Sequence, residues 1–187
     1  MTDNFLTRLL LSLTLLFSGD LIANDSSLEY KIKAGYLYNF TKFITWPDLT
    51  SPTFNLCIVG ADPFGTIIDP IEQKTAFNRS IKIIRLAEND YFSNTNPGFE
   101  CHILYLGSSN ETKGFLEKLQ SHHLKPKGTL IVTDSESAIP NGEMIDFVNR
   151  DGKIKLRINL LSVKQSELKI SAKLLEVAEI IKGDADE

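Results

Sequence analysis

The sequence predicts an α/β fold: a single compact domain whose mixed β-sheet is flanked by helices, with a β-hairpin and helices at the C-terminal end. Three observations carry this. Short apolar runs ending in glycine recur, as in FNLCIVG and CHILYLG. Helix-periodic stretches stand between such runs. An Asp-Gly pair separates two alternating stretches near the C-terminus, a strong hairpin signal. The 187 residues are 42% hydrophobic and 24% charged, with a formal charge of −4. That composition suits one globular core. With no Lys/Arg cluster beside the aromatics, it gives no support to nucleic-acid binding.

Near its start the chain has Arg8 followed by LLLSLTLLF, then small and polar residues around Leu21 up to Ala23. This is the layout of a secretory signal peptide over residues 1–23, and the apolar run is short for a bilayer span. No later stretch resembles a membrane-spanning helix, so the mature chain is expected not to insert directly into the membrane. Export of this kind points to the periplasm.

Leu28 to Thr45 has helical periodicity. Leu28, Ile32, Gly35, Tyr36, Asn39 and Phe43 fall on one face and are expected to pack inward. Gly35 in that stripe weakens the helix but lets another backbone approach. A buried Asn39 needs hydrogen-bond partners. The helix should end near Thr45, because Pro47 disfavours helical geometry at Trp46. A membrane-surface helix would want a polar face rich in Lys and Arg. Lys31, Lys33 and Lys42 are few, so packing on the sheet is the better reading. Tyr38, on the polar side, is either a half-exposed aromatic or a binding contact.

The strands follow at Phe54–Gly60, Ser80–Leu86, Cys101–Gly107 and Gly128–Thr133. A helix is expected from Pro63 to about Lys74, and another over Asn110–His123 with Phe115, Leu116 and Leu119 inward. Apolar strands alternating with helices imply a sheet covered on both faces. EMIDFVNRDGKIKLRINL is the hairpin, turning at Asp151-Gly152. Asn159–Ser166 reads as a short helix with Asn159 near its cap. Ser171–Ile181 reads as a final amphipathic helix capped by Ser171, with Leu174, Val177, Ala178 and Ile181 inward. The domain is therefore placed at residues 28–181, with residues 182–187 as a frayed tail.

Motifs for chemistry are weak. GADPFGT (Gly60–Thr66) follows a strand with the glycine spacing of a phosphate loop, but Thr66 stands where the lysine belongs, so a strand-ending turn is expected. Cys57, Cys101, His102, His122 and His123 lack the spacing of a zinc site. Asp134 and Glu136 lie just past a strand, where α/β proteins place functional loops, but solvated loop acids are the commoner case. No catalytic set assembles, and no cofactor is expected. The paired cysteine count behind an export signal favours one disulfide, Cys57 to Cys101. Closing a loop of about 45 residues is worth roughly 4 kcal/mol in the chain-entropy account. Two buried free thiols are the alternative.

Several segments in order resemble one family: AGYLYNFTKFITWP, LCIVG followed by DPFG, CHILYLG, NRDGKIKLRINL and LKISAKLLEVA. Together, from about Tyr30 to Ala178, they are similar to the YfiR family of exported bacterial proteins. The resemblance implies a compact periplasmic α/β domain, often a homodimer, and no catalysis. It implies repression of an inner-membrane diguanylate cyclase through that partner's periplasmic portion, and so control of cyclic di-GMP and biofilm formation. Cys57 and Cys101 match a family disulfide. Some members carry a second pair in the region of Asp134–Val148, where this chain has none, so a redox switch of that form is not expected. A partner contact is implied over Arg157–Ser166, with Asn159, Leu160 and Val163 as its candidate residues. Arg157 stands where a related protein has an acidic contact, and Val163 fits an interface or a core equally well. The rival reading is a periplasmic small-molecule or signal-input module, with a pocket near the first helix or the loops Ala61–Gly65 and Asp134–Pro140.

Overall fold

The computed structural model describes residues 22–47, 49–93, 99–107, 110–121, 127–134 and 142–181. A long helix α1 (Ile22–Phe43) leads into a short strand β1 (Ile44–Thr45). Then come β2 (Phe54–Val59), two 3-10 turns (Gly65–Ile67 and Asp69–Gln73), β3 (Thr75–Ala76), β4 (Arg79–Leu86) and α2 (Glu88–Ser93). β5 (Ile103–Leu106), α3 (Asn110–Ser121) and β6 (Leu130–Thr133) follow. The C-terminal part holds β7 (Ile145–Arg150), β8 (Lys153–Asn159), α4 (Leu160–Gln165), β9 (Lys169–Ile170), α5 (Ala172–Leu175) and β10 (Ala178–Ile181).

The main sheet has eight strands in the order β10-β8-β7-β6-β5-β2-β4-β3. Pairing is parallel from β4 through β2, β5 and β6 to β7, antiparallel in the β7–β8 hairpin, and parallel again between β8 and β10. Every residue of β2, β5 and β6 is buried, so the centre of the sheet is covered on both faces. That explains why these strands read as continuous apolar runs. α1 seats Tyr36 and Phe40 on Phe147 of β7. α3 packs Phe115 against Tyr91 and Phe92. A separate ladder joins β1 to β9, pairing Ile44 with Ile170.

Four expectations need correction. The buried face of α1 is Lys33, Ala34, Leu37, Phe40 and Thr41, not the predicted stripe. Leu28 and Ile32 are 56% and 42% exposed, Gly35 and Asn39 face solvent, and a Cβ on Gly35 would meet nothing within 4 Å. α1 turned this way buries Leu37 and Phe40, and satisfies Lys33 with Glu29 one turn away and with Asp134, distant in sequence. Second, Ile44–Thr45 is strand, because β9 supplies it with backbone partners. Third, the expected Pro63–Lys74 helix is two 3-10 turns.

Fourth, the final helix is one turn long. After Ala172–Leu175 the chain becomes β10, which pairs along β8. Leu174 is buried as expected, but Val177 is 60% exposed. Ser171 stands at the N-cap position without a side-chain capping bond, and its buried hydroxyl has no partner. An isolated helix of this length is marginal, and the open edge of β8 offers a full row of backbone hydrogen bonds instead. Residues 1–21 of the expected signal peptide, and the tail 182–187, lie outside the described residues.

Candidate functional site

The β7–β8 hairpin turns at Asp151 and Gly152, both at positive φ, as an Asp-Gly turn demands. Its register places Asp146 opposite Arg157 and Ile145 opposite Ile158. β8 then runs directly into α4. Asn159 caps that helix: its side-chain oxygen accepts from the backbone N–H groups of Leu161 and Ser162, each at 3.1 Å. At the far end the Ser166 hydroxyl donates to the Val163 carbonyl at 2.8 Å. The six-residue helix is thus held at both ends by its own sequence.

The three residues expected at a partner contact are divided by this geometry. Leu160 is half-buried, while Asn159 and Val163 are 6% and 3% exposed. Val163 packs in the core, so the surface of α4 is made by Leu161, 42% exposed, with Lys164 and Gln165 beside it. Arg157 is also not free. Its guanidinium donates to Asp146, which accepts from the Thr133 hydroxyl as well. Glu143 lies in the same place, 4% exposed, and its Oε2 has no hydrogen-bond partner.

A second charged cluster sits where β6 ends. Asp134 accepts from the Lys33 ammonium of α1 at 2.7 and 2.8 Å, and from the Tyr105 hydroxyl at 3.1 Å. Glu29, one turn before Lys33, pairs with the same ammonium. Burial pushes the Lys33 ammonium down, but the two carboxylates more than offset this and hold it above its ordinary value. The Tyr105 phenol is pushed far up, first by burial and then by Asp134. Asp134 is therefore an anchor for α1 rather than a solvated loop acid. Glu136 and the remainder of its loop lie outside the described residues.

The sheet's switch point lies between β2 and β5, where open α/β sheets commonly take ligands. Here Phe64 fills it, 2% exposed and edge-on to Tyr30 and Tyr105 at 5.4 and 4.8 Å. A Cβ on Gly107 would come 3.2 Å from the Ala61 carbonyl, so the two loops touch through backbone. The Asp62 carboxylate accepts from the N–H groups of Phe64 and Gly65 at 2.8 and 3.2 Å, and from Arg85 at 2.6 Å. A carboxylate already occupies the amides that a phosphate would need. Gly60–Thr66 is the strand-ending turn its sequence suggested.

Cys57 and Cys101 form a disulfide with Cα atoms 5.7 Å apart, joining β2 to the segment just before β5. Both are buried, and neither sulfur is available as a thiolate ligand. Next to the bridge, the His102 Nδ1 accepts from the Asn55 N–H at 2.8 Å. Burial lowers its basicity. His122 and His123 lie outside the described residues. Tyr38 is half-buried, with the ammonium groups of Lys42 and Lys74 4.9 and 5.2 Å from its ring centre.

The sequence profile of the YfiR/HmsC-like family matches residues 30–179. The chain belongs to that family. No curated protein matches it. The match begins within α1 and ends within β10. YfiR/HmsC-like proteins are periplasmic regulators of diguanylate cyclase signalling, a regulatory rather than catalytic family. Among the described residues, no helix is long and apolar enough to cross a membrane.

Sequence reasoning missed Lys33, Tyr105, Glu143 and Asp146. The Asp146–Arg157 pair had a signal: both residues stand equally far from the Asp-Gly turn, which sets them opposite each other. Lys33 had Glu29 one turn before it, but nothing local pointed to Asp134, and nothing local marked Glu143 as buried.

Proposed function

We propose that this protein is exported after removal of residues 1–23 and represses an inner-membrane diguanylate cyclase by docking on its periplasmic portion. α4 is the docking element, and Leu161 is its contact. The observation that carries this is an exposed leucine on a helix clamped at both ends, at the tip of the hairpin strand β8. A clamped helix presents its side chain with little ordering cost on binding. Val163 and Asn159 act from inside, by holding that helix in place. The homodimer remains part of the proposal, and sedimentation of the purified domain tests it separately.

The deciding measurement is intracellular cyclic di-GMP in a deletion strain complemented with wild type or with Leu161→Glu. Wild type should lower it. The variant, folded and exported to the same level, should leave it at the deletion value. Equal repression by both would remove α4 from the interface. Equal cyclic di-GMP with and without the wild-type gene would reject the cyclase reading altogether.

An open groove of about 280 Å³ beside Trp46 and Pro47, bordered by Glu167 and Lys169, supports the small-molecule reading. A saturable thermal shift by one compound, lost in Lys169→Ala, is its test.

A further inference from the structure

Glu143 is a buried carboxyl group with one oxygen lacking any partner, next to an aspartate that already holds the nearby arginine. Such a group is expensive to keep charged. Among the described residues, the charged side chains acting on it are Asp146 from β7 and Arg157 from β8. β6 contributes Thr133, which is uncharged and bound to Asp146. Glu179 of β10 is held elsewhere, by Arg150 at 3.3 Å.

The position of Glu143 in the chain matters as much as its surroundings. The next residue, Met144, donates its N–H to Ile131 at 3.1 Å and accepts from the Asn159 N–H at 2.9 Å. Asn159 in turn caps α4 through Leu161 and Ser162. An unbroken path of backbone and cap bonds therefore runs from Glu143 to the first turn of α4.

We propose that Glu143 is a proton-operated joint beneath α4: neutral, it leaves Arg157 to Asp146 and the cap closed; ionised, it competes with Asp146 for Arg157 and unfastens the cap. The proton exchanges with solvent. Burial is the main reason why the Glu143 carboxyl is pushed up to about 7; a hydrogen bond from its own backbone N–H opposes this, Asp146 adds to it and Arg157 opposes it. Because the closed-state value lies above the ordinary one, the protonated form favours the closed state. Protection of the cap is full below about pH 4.5, declines as pH rises, and is lost once pH passes about 7. The joint needs no partner. Where α4 is the docking element, it makes docking weaken as the surroundings turn alkaline.

Amide exchange of the intact domain tests this without the partner. The protection factors of Leu161 and Ser162 should fall at least about tenfold between about pH 5 and pH 7.5. The amides of Ile58 and Leu104, in the buried strands, should hold theirs. Glu143→Gln mimics the neutral acid, so its cap protection should stay flat over the same range. Three results would overturn the proposal: constant protection in wild type, an equal fall in Glu143→Gln, or a parallel fall at Ile58 and Leu104. A failure here would leave the cyclic di-GMP experiment untouched, since Leu161 could still dock from a helix with no proton control.

Discussion

Two clusters of buried charge hold this sheet to its surroundings, and among the described residues each brings one cation together with two carboxylates. In the first, Lys33 is 3% exposed, but Glu29 reaches 35% exposure, and Asp134 takes a further bond from Tyr105. Its surplus negative charge faces water. In the second, Asp146 is 2% exposed, Arg157 11% and Glu143 4%, and one Glu143 oxygen is unpartnered. Among the described residues, its surplus charge sits on a carboxyl group that water does not reach, and a proton can neutralise it. The same inventory gives an anchor at one site and a titrating group at the other, and access to solvent makes the difference.

Substitutions can break or sharpen that contrast. The largest effect should come from Lys33→Met, which strands Asp134 beneath α1. Breaking a buried pair from one side typically costs about 3–5 kcal/mol, and urea unfolding should show a loss of that order. A loss under about 1 kcal/mol would mean that Asp134 finds water, and the first cluster is no anchor. Asn159→Ala should remove about 1 kcal/mol by uncapping α4. It should also raise amide exchange at Leu161 and Ser162 at every pH, separating the cap itself from the proton that controls it. The smallest change should be a gain. Gly35→Ala adds a methyl group on the open side of α1, where nothing lies within 4 Å. It should stabilise the domain by up to about 1 kcal/mol, leaving Lys33 in place. A loss of stability there would show that the outward face of α1 is in contact with something.

The hairpin, the cap at Asn159 and the central strands were legible because local chemistry decides them. An Asp-Gly turn sets its own register, and an asparagine before a helix finds its amides within three residues. The orientation of α1 was not legible. Its inward face includes Lys33 and Thr41, and a periodicity argument reads both as solvent-facing. What makes Lys33 acceptable inside is Asp134, a hundred residues away in sequence. β10 failed for a related reason. Ala178–Ile181 can lie along a helix or a strand, and the choice was made by the vacant edge of β8, which no local pattern reveals. The docking candidates show the same limit. Val163 is apolar, and sequence cannot say which way it faces; the cap geometry turns it inward and Leu161 outward.

The small ladder between β1 and β9 has a consequence for how the domain is made. It pairs Ile44 with Ile170, and Ser171 adds a bond to the Phe43 carbonyl at 2.8 Å. The end of the first helix is thus buttoned to one of the last segments of the chain. A polypeptide made from its N-terminus presents these two pieces far apart in time. The first helix can lay its aromatic side chains on Phe64 and Phe147 earlier, but its end is fastened only when β9 is in place. A chain that lacks β9 therefore leaves the end of the first helix without its ladder.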